Sequence, residues 1–139
     1  MIHENLGDLV MLIYKDLKTV MERDLKKYDI GMGQMQILMT FFKDVNSTLT
    51  QNDLVIHLGV DKGNISRSMV KLLEKGYIEQ LPENKKNFRL SKKGTDLKLE
   101  IIPILMRLDR LITEDIESSE MKQALTTLVK ISEKLERIV

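Results

Sequence analysis

Apolar residues recur at steps of three and four along much of this chain, and that spacing predicts helices. Leu6, Val10, Ile13, Leu17 and Val20 give the first, over about residues 6–28. Met35, Leu38, Met39 and Phe42 give a second within "GMGQMQILMTFFK". In "STLTQNDLVIHLG", Thr50 stands as an N-cap, Asp53 at the capping-box position and Gly59 at the stop, so a short third helix is expected. "DKGNISRSMVKLLEKG" starts again with Asp61 as a cap, ends at Gly76 and puts Ile65, Met69, Leu72 and Leu73 on one side. Two short helices joined through "LGVD" form a helix-turn-helix pattern, over about residues 50–76.

The period then changes. "YIEQL" and "NFRL" are short strand-like runs around "PENKK", where Pro82 and Asn84 supply turn chemistry, so a hairpin is expected over about 77–90. Ser91 caps a long helix with a stripe of Leu97, Ile101, Leu105, Leu108 and Ile112, which Pro103 should bend. Met121, Ala124, Leu128, Ile131, Leu135 and Ile138 mark a last helix, and Leu125, Val129 and Val139 widen its stripe. The fold class is thus mainly α with a small β-hairpin (α+β), six helices in one domain spanning 1–139. Long apolar stripes at both ends exceed what a small domain easily covers. They are expected to pack on each other or, as a coiled-coil-like seam, on a second copy.

Composition narrows the class mostly by exclusion. Without cysteine there is no disulfide framework, thiolate metal site or thiol switch. His3 and His57 have no ligand set beside them in sequence, so no metal is expected, and His57 reads as a local packing residue. The nine methionines fall mainly at core spacings and read as gap-filling side chains. No glycine-rich phosphate loop or Ser/His/Asp set suggests an enzyme or a cofactor. No apolar run approaches the roughly 20 residues of a membrane span, and "MIHENLGDLV" lacks a signal peptide's order. A cytoplasmic protein with no membrane partner is expected.

Net charge is only +1, but its distribution is uneven. From Asp61 to Lys93 there are nine Lys/Arg against four Asp/Glu, and the rest of the chain is net acidic. A basic middle points to a polyanion partner, although a charge run is often no more than a solvated face.

The stretch "LTQNDLVIHLGVDKGNISRSMVKLLEKGYIEQ" followed by "RLSKKG" resembles the MarR family of winged-helix transcription regulators. It matches that family's small helix, cap, recognition helix ending in "LEKG", wing and "L-[ST]-x-K-G" pattern, and the long amphipathic ends extend the resemblance over nearly the whole chain. The loop "PENKKNF" is shorter than the family's usual wing and lacks its D-x-R element. The resemblance implies a dimer formed by residues 1–30 and 97–139, with a DNA-binding lobe over 31–96. It also implies a repressor of transcription released by a small-molecule effector, often an aromatic anion.

Helical geometry makes the site specific. Arg67 lies about 200° round from Ile65, flanked by Gly63, Asn64 and Lys71 on the outward side. Gly63 permits close approach to a major groove, Asn64 can pair with adenine, Arg67 with guanine, and Ser66 with a base or a phosphate. Lys62 and Lys71 suit backbone contacts. Thr50 and Gln51 open the preceding helix and can present a hydroxyl, an amide and backbone N–H groups to phosphate. Lys85, Lys86 and Arg89 look like the family's wing contacts. Tyr14 and Lys15 are the candidates for an effector crevice; the plainer alternative is an interior Tyr14 and a solvated Lys15. A dimer would read a pseudo-palindromic double-stranded operator. The competing reading is a winged-helix scaffold that works through protein contacts without sequence-specific DNA binding.

Overall fold

The computed structural model describes residues 5–139, so His3 lies outside the described residues. The order is α1 (Leu6–Asp24), a 3-10 turn (Lys26–Tyr28), α2 (Met32–Phe42), α3 (Gln51–Leu58), α4 (Lys62–Glu74), β1 (Ile78–Gln80), β2 (Phe88–Leu90), α5 (Lys92–Thr113) and α6 (Ser118–Ile138). The first helix therefore stops earlier than its periodicity suggested, and its last turn tightens to 3-10 geometry before Asp29, which takes the left-handed φ of 54°.

Two compact units divide the chain, Met1–Ile102 and Pro103–Val139, and the division falls at the proline inside α5. Proline has no N–H to donate to the helical ladder, which makes residue 103 a natural place for the break. Leu97 and Ile101, just before it, are buried in the first unit.

The core of the first unit gathers Leu25, Ile30, Met35, Ile37, Leu38, Phe41, Leu54, Ile65, Met69, Leu72 and Ile78. Helix α2 is central to it. It buries Gln34, Met35, Ile37, Leu38, Phe41 and Phe42, more than the single stripe the periodicity marks. Met39 of that stripe is half-buried, and Gly33, Gln36 and Thr40 lie along a narrow, partly exposed side. A helix covered over most of its circumference is a core helix. Gln34 is tolerated there because its Oε1 accepts from Lys75 Nζ at 2.7 Å. Ser68 of α4 faces Gly33, where an added Cβ would stand 2.8 Å from Ser68 Oγ, so small residues set this helix crossing.

The helix-turn-helix forms as its caps dictate. Thr50 Oγ1 accepts from Asp53 N–H at 3.0 Å and Asp53 Oδ2 accepts from Thr50 N–H at 2.8 Å, a complete capping box. Gly59 ends α3 at φ 64°, and Asp61 caps α4 two residues later. Ile65, Met69 and Leu72 are buried as the spacing required, and Leu73 sits half-buried at the edge.

The hairpin pairs Ile78 with Leu90, Glu79 with Arg89 and Gln80 with Phe88, antiparallel. At its tip Asn84 Oδ1 accepts from Lys86 N–H at 3.1 Å, and Gln80 Nε2 donates to the Lys85 carbonyl at 3.0 Å. One tie was invisible to pattern reading. Leu49 and Phe88 exchange both backbone bonds, at 2.9 and 2.8 Å, which sets the start of α3 against the wing.

In the second unit α6 is amphipathic and buries no residue, and the same holds for α1 in the first unit. Leu125, Val129 and Leu135 on α6, and Val10, Ile13 and Tyr14 on α1, are among the exposed large apolar side chains. Among the described residues no helix is long and apolar enough to cross a membrane.

Candidate nucleic-acid interface

Of the nine basic residues between Asp61 and Lys93, four are engaged by other groups of the fold. Lys75 donates to the Asp29 carbonyl and to Gln34, and its ammonium lies 3.7 Å from Asp29 Oδ2. Lys93 donates to the Lys75 carbonyl at 2.7 Å and lies over the Tyr77 ring. Lys92 is 3.2 Å from Asp96, and Arg89 is 3.6 Å from Glu79, directly opposite on the hairpin. The remaining five, Lys62, Arg67, Lys71, Lys85 and Lys86, form no ion pair among the described residues, and all five are exposed. Surface cations left without acids are those available to a polyanion.

Three parts of the first unit, the starts of α3 and α4 and the hairpin, supply one groove. Thr50, Gln51 and Asn52 from the start of α3, Lys62 from the start of α4, and Gln80, Lys85, Lys86 and Phe88 from the hairpin line a volume of about 470 Å³. The Leu49–Phe88 bridge explains the meeting, because it fixes Thr50 one residue beyond its own contact with the wing. Thr50's oxygen is committed to Asp53, but its hydroxyl proton remains a donor. Asn52 and Gln80 are groove residues the sequence reading missed. Neither carries a charge or a helical spacing that would have marked it.

The outward face of α4 holds Gly63, Asn64, Arg67 and Lys71, all exposed, with Ser66 half-buried beside them. Asp61 Oδ1 accepts from Asn64 N–H at 2.9 Å and Asp61 Oδ2 accepts from Asn64 Nδ2. Asn64 Oδ1 in turn accepts from Arg67 Nη2. Backbone donation from Asn64 is the main influence that holds the Asp61 carboxyl below its ordinary range, with the Asn64 side chain and the Arg67 charge adding to it. Asp61 is thus ionised at neutral pH.

Several expected residues stand elsewhere. Arg89 is on the hairpin stem, engaged with Glu79 and apart from the groove. Tyr14 is 52% exposed on α1, which overturns the interior alternative for it, and Lys15 is solvated and 3.7 Å from Asp16. His57 is not a packing residue: it is exposed, with Nε2 3.3 Å from Lys43 Nζ. Nor are the methionines mainly core. Met35 and Met69 are buried, while Met11 and Met106 are 73% and 60% exposed on the amphipathic end helices. Among the described residues no three His, Asp or Glu side chains are grouped to hold a metal.

No known family's sequence model matches the chain. It is similar to the HTH-type transcriptional regulator BilQ of Clostridioides difficile (strain CD3), 28% identical over 130 residues, which are 91% of this chain and 86% of that protein. In fold it is similar to a MarR transcriptional regulator from Methanosarcina mazei Go1, with TM-score 0.86 and 22% identity over 96% of this chain and 90% of that one. A second solved structure, the S. aureus MepR–DNA complex, matches at TM-score 0.84 and 20% identity, covering 96% of this chain and 99% of that chain. The architecture of six helices and a two-stranded hairpin is the MarR winged-helix fold that the sequence resembles.

Proposed function

We propose that this chain, built on the MarR-type winged helix, is a sequence-specific double-stranded DNA-binding regulator of transcription. One observation carries the reading, and it concerns the nine basic residues between Asp61 and Lys93. Among the described residues, the five whose cations have no ion pair and no contact with another element lie on the recognition helix and the wing tip, and Lys62, Lys85 and Lys86 share a groove with the N-terminus of α3. In this reading α4 enters a major groove with Arg67 and Asn64 toward base edges. Lys62, Lys71, Thr50 and Gln51 hold phosphates, and the wing lysines grip the adjoining backbone. Arg89 contributes by stiffening the hairpin through Glu79. The DNA-bound solved neighbour and the regulator homologue support the assignment.

Wing and groove make a quantitative test possible. Each phosphate contact adds roughly 0.9 to the slope of log affinity against log salt, so replacing Lys85 and Lys86 with alanine should flatten that slope by about 1.8. An unchanged slope, measured by fluorescence anisotropy on a labelled duplex, takes both lysines out of the interface.

The active form in this proposal is a homodimer, seated through the exposed apolar stripes of α1 and α6. Two recognition helices on a two-fold axis would read half-sites roughly 34–36 Å apart. Sedimentation equilibrium should return twice the 16.1 kDa chain mass, and a single-chain mass at micromolar concentration refutes the dimer. The dimer acts in the cytoplasm as a repressor that covers a promoter and leaves it when a small aromatic anion binds near Tyr14 and Lys15. Selection of host genomic fragments by the purified protein, with and without phenolic acids, tests the whole reading. Recovery of one shared pseudo-palindrome, lost when the acid is present, is expected. Recovery of no preferred sequence would sink DNA recognition, and indifference to every acid would sink the effector.

A further inference from the structure

One acid stands at the exposed end of α4 where the preceding reading brings a polyanion. Asp61 is the N-cap, yet capping requires only one of its oxygens. The second oxygen holds the Asn64 side-chain amide. A carboxylate only accepts, so it turns Nδ2 of Asn64 toward itself and leaves Oδ1 facing away, where Arg67 Nη2 donates to it. A Cβ at position 63 would stand 3.2 Å from Arg67 Nη1 and 3.2 Å from Asp61 Oδ1. The guanidinium therefore lies folded across Gly63, and the missing side chain makes room for Arg67 itself.

We propose that Asp61 is a positioning residue for base discrimination: it fixes the Asn64 amide, orients Arg67 through it, and disfavours docking on DNA that offers phosphates alone. This rests on the DNA-binding reading above. With the amide held, Asn64 keeps one N–H and one lone pair for a base, and Arg67 keeps four N–H donors in a set orientation. On an unrelated duplex Arg67 gains only a phosphate, while the nearby carboxylate meets like charge. On the cognate site the same cost is offset by the base contacts that the held Asn64 and Arg67 make. The same carboxylate thus lowers affinity for any DNA and raises the preference for one sequence.

Asp61→Asn and Asp61→Ser both keep an oxygen that can cap the helix, which separates capping from charge. Both variants, checked for an unchanged thermal midpoint, should be titrated with the selected operator duplex and with a scrambled duplex of equal length. Each should bind the scrambled duplex more tightly than the wild type does. Operator preference should fall roughly tenfold, the lower part of the range for one base-reading contact. In an Arg67→Ala background the same substitutions should leave the preference unmoved. Preference retained in both variants overturns the proposal, as does an equal drop in the Arg67→Ala background. A wild type with no preference between the two duplexes overturns the DNA-binding reading itself, and this inference with it.

Discussion

Gly94→Ala should destabilise the protein by at least about 3 kcal/mol, at or beyond the upper end for inserting one methyl into a packed site. The added Cβ would stand 2.0 Å from the Tyr77 carbonyl oxygen, 3.0 Å from its carbonyl carbon and 3.0 Å from Leu90 Cδ2. No side chain can swing away to relieve it, because the obstacle is backbone. That backbone is also pinned. The Tyr77 oxygen accepts from Ser91 N–H at 3.1 Å, and Tyr77 N–H donates to the Leu72 carbonyl at 3.0 Å. Ser91 Oγ donates to the Gly76 carbonyl and accepts from Gly94 N–H at 3.0 Å. Retreat at Tyr77 would therefore loosen the end of α4, the root of β1 and the cap of α5 together. Urea denaturation is the measurement: a midpoint equal to wild type would show that α5 and the wing root are not in contact as described.

Loss of the Arg67 side chain should act on recognition and leave folding alone. The residue is exposed and makes no ion pair, so Arg67→Ala should keep the wild-type thermal midpoint. Operator affinity should fall by roughly 1–3 kcal/mol, about 5- to 150-fold, with preference relaxed at one base pair. Arg67→Lys is the informative companion. It restores the charge but lacks the planar fork, so it should recover affinity for phosphates without recovering the base preference. Selection on a duplex library randomised at each position reads both effects. An unaltered preference profile in Arg67→Ala assigns base reading to other residues.

How much was legible in sequence depended on whether the information was local. Caps are local, and the Thr50–Asp53 box, the Asp61 cap and the Gly59 stop formed as the residues dictated. The stripe of α4 was legible for the same reason. Helix α2 is placed by sequence, but the extent of its burial is not, because Ile37 and Phe41 lie off the three-four stripe and are nonetheless buried. The Leu49–Phe88 bridge could not be anticipated, since one residue has no period. It nevertheless decides that the start of α3 and the wing share a groove, and so brings Asn52 and Gln80 into it. Counting charge located the basic segment but overstated its reach. Lys75 and Lys93 meet carbonyls or a ring far away in sequence, Arg89 meets an acid across the hairpin, and Lys92 meets Asp96 one turn along its own helix, just past the counted segment. His57 and Tyr14 were judged by residue type, and only the fold shows that their helix faces are open to solvent.

The three-residue strands have a bearing on how the protein behaves when crowded. Phe88 is occupied on one side by Gln80 and on the other by Leu49, which leaves the free margin of the sheet to Ile78–Gln80. A margin that short, with the charged Glu79 at its middle, offers too little unpaired backbone to template another strand. The molecule can expose a β-ribbon at its surface without inviting copies of itself to stack into aggregates there.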